Sequence, residues 1–478
     1  MKCVRKIKYF CVGFVSGLMI ICLNYALTGP RGDDTDTRQL IVRLRDLMLT
    51  RSPAREAHLV RTDQPGDVTE LTSTVLGKVK IEMEKRRRHL RQVCKAMNLT
   101  GSTLARAFVS TERRVVYCPV EKTASTFFRR FMYQLDHTDP MRSPFEVPVK
   151  MIYGCGPLLT SIENLSKTLN AQRRRRKEKP MKQAEPTVVD DIQKFLSNSK
   201  KFVFVRDPYA RLFSVYIDKL QAPNPTFWEK WGIPTVKKFR KRPSEIALKC
   251  GHDVTFSEFL KFTLGSETNL DKMDPHVRPV FRLCEPCSAD YDVIGHMETF
   301  KRDALYLSSL LNVSETQIGF DNMAEDSAKD AIEDSVTDAF TVWEPRVSKC
   351  ITKFESAKRI WKKLQIRGFI SDRQNISHIL DAGSIEDVEA REFIRLLMAA
   401  FRKSKDKTEL KKQKFKAFVS AYRSVNVGVL KKVSKMYAAD FRLFGYVDRP
   451  AEIFDRSITG DLDLDLSEEM SLSDRWVF

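Results

Sequence analysis

Residues 200–216 read KKFVFVRDPYARLFSVY. The first six form a β-branched and aromatic run behind two lysines, the pattern of a short buried strand. Arg206-Asp207-Pro208 breaks it, and apolar residues resume at Leu212, Phe213, Val215, Tyr216 and Leu220, one face of a helix. Pro208 suits the first turn of that helix, where a missing N–H costs nothing. The unit is strand, tight loop, helix, with Arg206 at the strand's carboxyl end. In a parallel sheet ligands sit there, and a helix start offers free N–H groups and partial positive charge to phosphate. The Arg206 guanidinium can grip a phosphate with two N–H groups, and the Ser214 hydroxyl, about two turns into the helix, can complete the cradle. Asp207 reads most simply as the helix cap. Arg211 reads as a packing or ion-pair residue, although Asp218, seven positions on, is too far along one helix to be its partner.

A second unit precedes this one. VVYCPV (115–120) is strand-like, and Phe127, Phe128, Phe131, Met132 and Leu135 mark one face of a following helix. Between them lies EKTAS. Lys122, Thr123, Ser125 and Thr126 bring an ammonium and three hydroxyls to a helix start, all suited to phosphate. An ordinary capped helix is the plainer reading of this loop taken alone. The glycines of a Walker A loop are missing, which argues against nucleotide hydrolysis by that route. YDVIG (291–295) gives a third short strand. Strands alternating with helices predict an α/β fold, helices flanking a central parallel sheet.

The chain has 478 residues, 42% of them apolar with 30 Phe, enough to build a core and to exclude a mostly disordered chain. Its net charge of +20 favours anionic partners: nucleic acid, anionic lipid, phosphorylated cofactors or acidic polysaccharide. Residues 9–27, YFCVGFVSGLMIICLNYAL, narrow that choice. At about 1.5 Å per residue the run approaches the about 30 Å hydrocarbon core. Lys2, Arg5, Lys6 and Lys8 precede it and Asp33, Asp34 and Asp36 follow, so the positive-inside rule predicts a cytosolic N-terminus and a translocated body. A cleaved signal peptide is the competing reading; the run exceeds the usual apolar stretch and lacks a clear A-x-A site. A single-pass type II protein is expected, and a nuclear nucleic-acid partner is disfavoured. Sequons at Asn98, Asn164, Asn312 and Asn375 all follow the anchor.

Of ten cysteines, Cys3, Cys11 and Cys22 lie in or before the apolar run, which leaves seven. An oxidising lumen pairs most of them and leaves one over. The CEPC at 284–287 lacks a second ligand pair at zinc spacing, so disulfides are favoured over metal.

Residues 118–131, CPVEKTASTFFRRF, and 206–216, RDPYARLFSVY, resemble the 5′-phosphosulfate and 3′-phosphate loops of carbohydrate sulfotransferases. Residues 273–299, MDPHVRPVFRLCEPCSADYDVIGHMET, resemble that family's HW-x-P, C-x-P-C and YD-[FV]-IG block. MYAADFRLFGY (436–446) resembles its closing Y-x-x-D-F motif. The branch most similar contains the chondroitin, dermatan and N-acetylgalactosamine 4-O-sulfotransferases and the HNK-1 sulfotransferase. The departures are Ser125 for the usual Cys, Phe for the loop Trp, and Val277 where the family has Trp after its His.

The resemblance implies a P-loop-like sulfotransferase fold with an N-terminal transmembrane helix, in the Golgi membrane with its catalytic domain luminal. It implies 3′-phosphoadenosine 5′-phosphosulfate as donor, a glycan acceptor and no metal. Arg206 and Ser214 would hold the 3′-phosphate. Lys122, Thr123, Ser125 and Thr126 would hold the 5′-phosphosulfate, with Lys122 stabilising the departing charge. His276 is the candidate base, imidazole being suited to neutral pH, with a bland surface or core histidine as the alternative. Glu298 could orient or replace it. The expected organisation is a cytosolic tail (1–8), anchor (9–27), luminal stem (28–100), catalytic domain (101–446) and acidic tail (447–478). The catalytic domain carries an exposed basic loop (171–187), either a solvated insertion or a strip for acidic polysaccharide, and a helical insertion (316–420). A catalytically inactive glycan-binding relative is the second reading; a membrane-tethered kinase on the same scaffold is a third.

Overall fold

The computed structural model describes residues 66–99, 106–136, 143–154, 162–175, 186–265, 269–314, 319–320, 322–380 and 383–457. At the centre is a four-stranded sheet: β1 (Phe108–Ser110), β2 (Val115–Cys118), β3 (Lys200–Val205) and β4 (Val293–His296), in that spatial order. β2, β3 and β4 run parallel, with Tyr117 opposite Phe202 and Phe204 opposite Gly295. β1 adds an antiparallel edge. The fold is α/β as expected, with the three strands read from sequence forming the parallel part.

Successive residues of a strand face opposite sides, and here both sides are apolar because both are covered. Val115, Tyr117, Phe202, Phe204 and Val293 face one layer. There α1 (Gly66–Ala96) lays Val79 and Met83, and α2 (Ser125–Asp136) lays Phe127, Phe128, Phe131 and Met132. Val116, Cys118, Val203, Val205 and Ile294 face the other layer, together with Leu90 and Cys94 of α1. Gly295 is required at its position: a Cβ there would lie 2.4 Å from the Phe204 ring.

Two expectations change. Residues 28–100 read as stem, but from Val79 onward α1 is built into the sheet's two cores, and Arg86 of its basic cluster donates to the Ile294 carbonyl (3.0 Å) and to buried Asp303 (2.6 Å). The expected basic loop begins as helix: α3 (Ile162–Arg175) runs through Arg173–Arg175, α4 (Pro186–Ser197) follows, and 176–185 lie outside the described residues. Arginine is a good helix former, so a basic run does not by itself end a helix.

The residues after β3 set the site. α5 (Pro208–Tyr216) leads into one π-helical turn, Ile217–Gln221, which carries Asp218 and Lys219. Further on come α6 (Val280–Cys284), α7 (Phe300–Leu310), α8 (Met323–Thr337), α9 (Lys353–Ile366), α10 (Ala390–Lys403), α11 (Lys407–Arg423) and α12 (Ala438–Phe444). Ile332, Val336, Ile360, Trp361, Leu364, Phe393 and Leu397 give α8, α9 and α10 a core of their own. Phe415, Phe418 and Tyr422 of α11 pack on Tyr209 and Phe213 of α5, so this helical segment is anchored directly beside the site.

Cys94–Cys287, Cys118–Cys284 and Cys250–Cys350 are disulfides. Both cysteines of CEPC are thus bonded, to different partners. Cys155, the seventh, lies outside the described residues. So do the apolar run 9–27 and most of the acidic tail; among the described residues no helix is long and apolar enough to cross a membrane.

Candidate active site

The loop between β2 and α2 is tightly wound. Lys122 and Ala124 both take left-handed backbone angles, φ 70° and 56°, a conformation with a steric cost for residues that carry a Cβ. The first bond of the helix runs from Phe128 N–H to the Ala124 carbonyl, so the N–H groups just before Phe128 have no intrahelical acceptor. The hydroxyls divide. Thr123, fully buried, donates to the Val120 carbonyl (2.9 Å), and Ser125 donates to Glu121 Oε2 (2.9 Å). Their protons serve the loop itself. Thr126 is half-buried, with Lys122 the loop's cation.

Lys122 Nζ lies 3.0 Å from Asp218 Oδ2. Burial pulls the ammonium down to about 8, with Asp218 opposing the fall. Asp218 is itself shared: Lys219 approaches Oδ2 at 3.1 Å and Lys363 donates to Oδ1 at 2.8 Å. Burial works against its ionisation, but the three lysines outweigh it and hold the carboxyl well below its ordinary range.

Arg206 is nine-tenths buried at the end of β3, and its Nη1 reaches the Lys122 carbonyl at 3.4 Å. Asp207 caps α5, accepting from Ala210 N–H at 2.9 Å, as its plain reading has it. Ser214 is half-buried on α5. Glu298 sits on this side of the site: its oxygens accept from Asp207 N–H (3.2 Å) and the Tyr446 hydroxyl (2.9 Å). Both are therefore engaged beside Arg206.

Arg211 does more than pack or pair with an ion. Fully buried, it donates to the carbonyls of Glu121 (Nε, 3.0 Å), Arg278 (Nη1, 2.8 Å) and Pro275 (Nη2, 2.9 Å). One guanidinium thus ties the Lys122 loop to the loop that carries His276. His276 has a partner after all. Its Nδ1 lies 2.7 Å from Asp274 Oδ1, and its backbone N–H reaches the same oxygen at 2.9 Å. Hydrogen bonds from His276 and Lys230 overcome the burial of Asp274 and hold it deep in its ionised range. An ionised carboxylate only accepts, so Nδ1 carries the proton and Nε2 presents its lone pair. Burial lowers the His276 pKa despite Asp274, keeping the ring neutral at neutral pH. Phe227 stands edge-on to the imidazole at 5.2 Å and Trp231 at 6.2 Å, which restores the aromatic neighbour missing at Val277. From the closing motif, Asp440 caps α6 through Val280 N–H (2.6 Å) and Phe281 N–H (2.9 Å), and the Tyr437 hydroxyl donates to the Val277 carbonyl.

Glu121 also escaped the sequence reading. It accepts from Arg129 at 2.7 Å, eight residues on, and burial is outweighed by Arg129, with the Ser125 hydrogen bond helping, so that its carboxyl stays below the usual range. Asp-Pro-His is a short-range signal that Asp274 orients His276; Glu121–Arg129 and Lys363–Asp218 leave no such local trace.

A model described as the sulfotransferase family matches residues 105–353, just over half of the chain. This chain belongs to the sulfotransferase family. Carbohydrate sulfotransferase 11 of Mus musculus is 28% identical over 259 residues, 54% of this chain and 62% of that protein. Carbohydrate sulfotransferase 12 of Mus musculus is 29% identical, covering 50% and 58%, and carbohydrate sulfotransferase 9 of Homo sapiens 29%, covering 52% and 51%. The chain thus spans 51–62% of the length of these relatives. No solved structure matches. The sulfotransferase match contains all four strands, Lys122, Arg206, Ser214 and His276, and ends before Lys363.

Proposed function

We propose that this chain transfers a sulfuryl group from 3′-phosphoadenosine 5′-phosphosulfate to a hydroxyl of a glycan, at N-acetylgalactosamine O-4 or a similar position in glycosaminoglycan or glycoprotein chains. The observation that carries the reading is the juxtaposition of three loops. Arg206 bonds to the Lys122 backbone, and Arg211 joins that loop to the one holding His276.

Arg206 and Ser214 take the 3′-phosphate. The ammonium of Lys122, Thr126 and the free N–H groups of the helix start take the 5′-phosphosulfate. The acceptor hydroxyl attacks sulfur in line with the departing phosphate oxygen, and His276 Nε2 accepts its proton. Lys122 stabilises the charge that gathers on the leaving oxygen. Asp274 holds the imidazole in the tautomer this needs. The family resemblance and residues 9–27 together support a type II Golgi membrane protein with its body in the lumen, and Asn98, Asn312 and Asn375 are exposed as glycan attachment there would require.

The inactive glycan-binding reading draws on Val277 standing where the family has Trp, but Phe227 and Trp231 beside His276 favour catalysis, as does Nε2, which bonds to no other group among the described residues. The test is transfer of labelled sulfate by the detergent-solubilised full chain to a panel of desulfated chondroitin, dermatan, heparan and N-acetylgalactosamine-capped glycans. Transfer to one acceptor, abolished in Lys122→Ala and Arg206→Ala, is the expected result. Failure to bind the donor at all would refute the reading.

A further inference from the structure

Three lysines converge on one carboxylate. Lys122 and Lys219 reach Asp218 Oδ2 at 3.0 and 3.1 Å, and Lys363 reaches Oδ1 at 2.8 Å. The first two belong to the part of the chain that matches the family; Lys363 comes from α9, beyond it. Its side chain is only 6% exposed, in a helix packed into the separate core of α8, α9 and α10. Arg367, just past the end of α9, and the carboxylates of Asp330, Asp334 and Asp338 also act on this cluster.

A lysine that must hold an incoming phosphosulfate starts here in contact with an internal anion. Two opposite charges about 3 Å apart and partly desolvated attract strongly, so Asp218 competes with the donor for Lys122. A second ammonium on the opposite oxygen of Asp218 draws off that attraction and holds the carboxylate in place. Lys219 shares Oδ2 with Lys122, whereas Lys363 holds the other oxygen.

We propose that Lys363 is a positioning residue for donor binding: by engaging Oδ1 of Asp218 it releases the Lys122 ammonium to the phosphosulfate. The helical segment that carries it is thereby part of the donor site. The inference rests on the sulfotransferase reading above, with Lys122 as donor ligand.

The experiment is calorimetric titration of the full chain with 3′-phosphoadenosine 5′-phosphate at about pH 6.5, where Lys122 is charged, alongside steady-state transfer kinetics. Lys363→Met is expected to weaken nucleotide binding on the order of tenfold and raise donor KM more than it lowers kcat. Lys363→Arg is expected to restore most of the affinity. In Asp218→Asn, where nothing remains to be restrained, adding Lys363→Met is expected to cost little further affinity. Unchanged binding in Lys363→Met overturns the inference while leaving the sulfotransferase reading intact. So does a loss that Arg does not rescue, or one that adds fully to that of Asp218→Asn. A wild-type chain that binds no nucleotide overturns both.

Discussion

The Lys122 ammonium and the Asp218 carboxylate lie 3.0 Å apart, each about one-fifth exposed, across the gap between the first helix-start loop and the π-helical turn after α5. Burial lowers the lysine to about 8 and the aspartate opposes that fall. Its charge is therefore present at neutral pH and lost as pH rises through about 8. Donor affinity, read by titration across that range, is expected to fall above about pH 8 in the wild type. Lys122→Arg, whose guanidinium stays charged, should remove the alkaline fall. Asp218→Asn deletes the group that raises the lysine and should move the fall to lower pH.

His276 and Asp274 give a different signature. If Nε2 accepts the acceptor hydroxyl's proton, His276→Ala should lower kcat by about 10²–10⁴ with donor binding kept. Asp274→Asn should lower kcat less and move the acid limb of the pH–rate profile to lower pH, because the Asp274 hydrogen bond raises the imidazole pKa against the burial that depresses it. An acid limb unmoved in Asp274→Asn would detach that limb from His276.

Arg211→Lys is a conservative change on paper only. A single ammonium cannot reach the carbonyls of Glu121, Pro275 and Arg278 in the fork geometry of the guanidinium. Carbonyls left without a partner in the interior cost about 1–3 kcal/mol each. Thermal unfolding should show a midpoint several degrees lower, and transfer should fall even where folding persists, because both the Lys122 loop and the His276 loop lose their tie.

Asp207 should give the protein a pH-dependent stability. Burial pushes it up to about 7, so between about pH 4 and that value the folded chain holds a proton that the unfolded chain releases. This group's contribution to stability therefore declines as pH rises through that window and levels off above about 7. Asp207→Asn keeps the cap on Ala210 and should flatten the dependence. Asp207→Ala loses the cap as well and should lie about 1 kcal/mol below Asp207→Asn at every pH. Melting midpoints from about pH 5 to about 8 distinguish the three.

The parallel strands, the two loops and the helices after them were legible because each follows a local rule: apolar runs of strand length, Pro208 at a helix start, apolar spacing in residues 127–135. The same local reading gave Lys122 and Arg206, and the family resemblance gave His276; all three stand at loop positions that the fold gathers. Partnerships across the fold were not legible. Arg211 of α5 meets Pro275 and Arg278 from 64 and 67 residues away, and Lys363 of α9 meets Asp218 from 145 residues away. Thr123 and Ser125 matched a phosphate loop by type, yet their hydroxyl protons go to Val120 and Glu121. α1 is continuous with the body for a related reason: Arg86 carries a charge that signals solvent, while its length lets it reach a buried aspartate.

That last contact decides where a secreted fragment can begin. Cutting at residue 101, the natural choice if α1 were a tether, would discard Val79, Met83 and Leu90 from under the sheet. It would strand Cys287 without Cys94, and Asp303, fully buried, without the guanidinium that faces it. The self-sufficient piece must therefore start ahead of Val79, the first residue of α1 in the sheet's core.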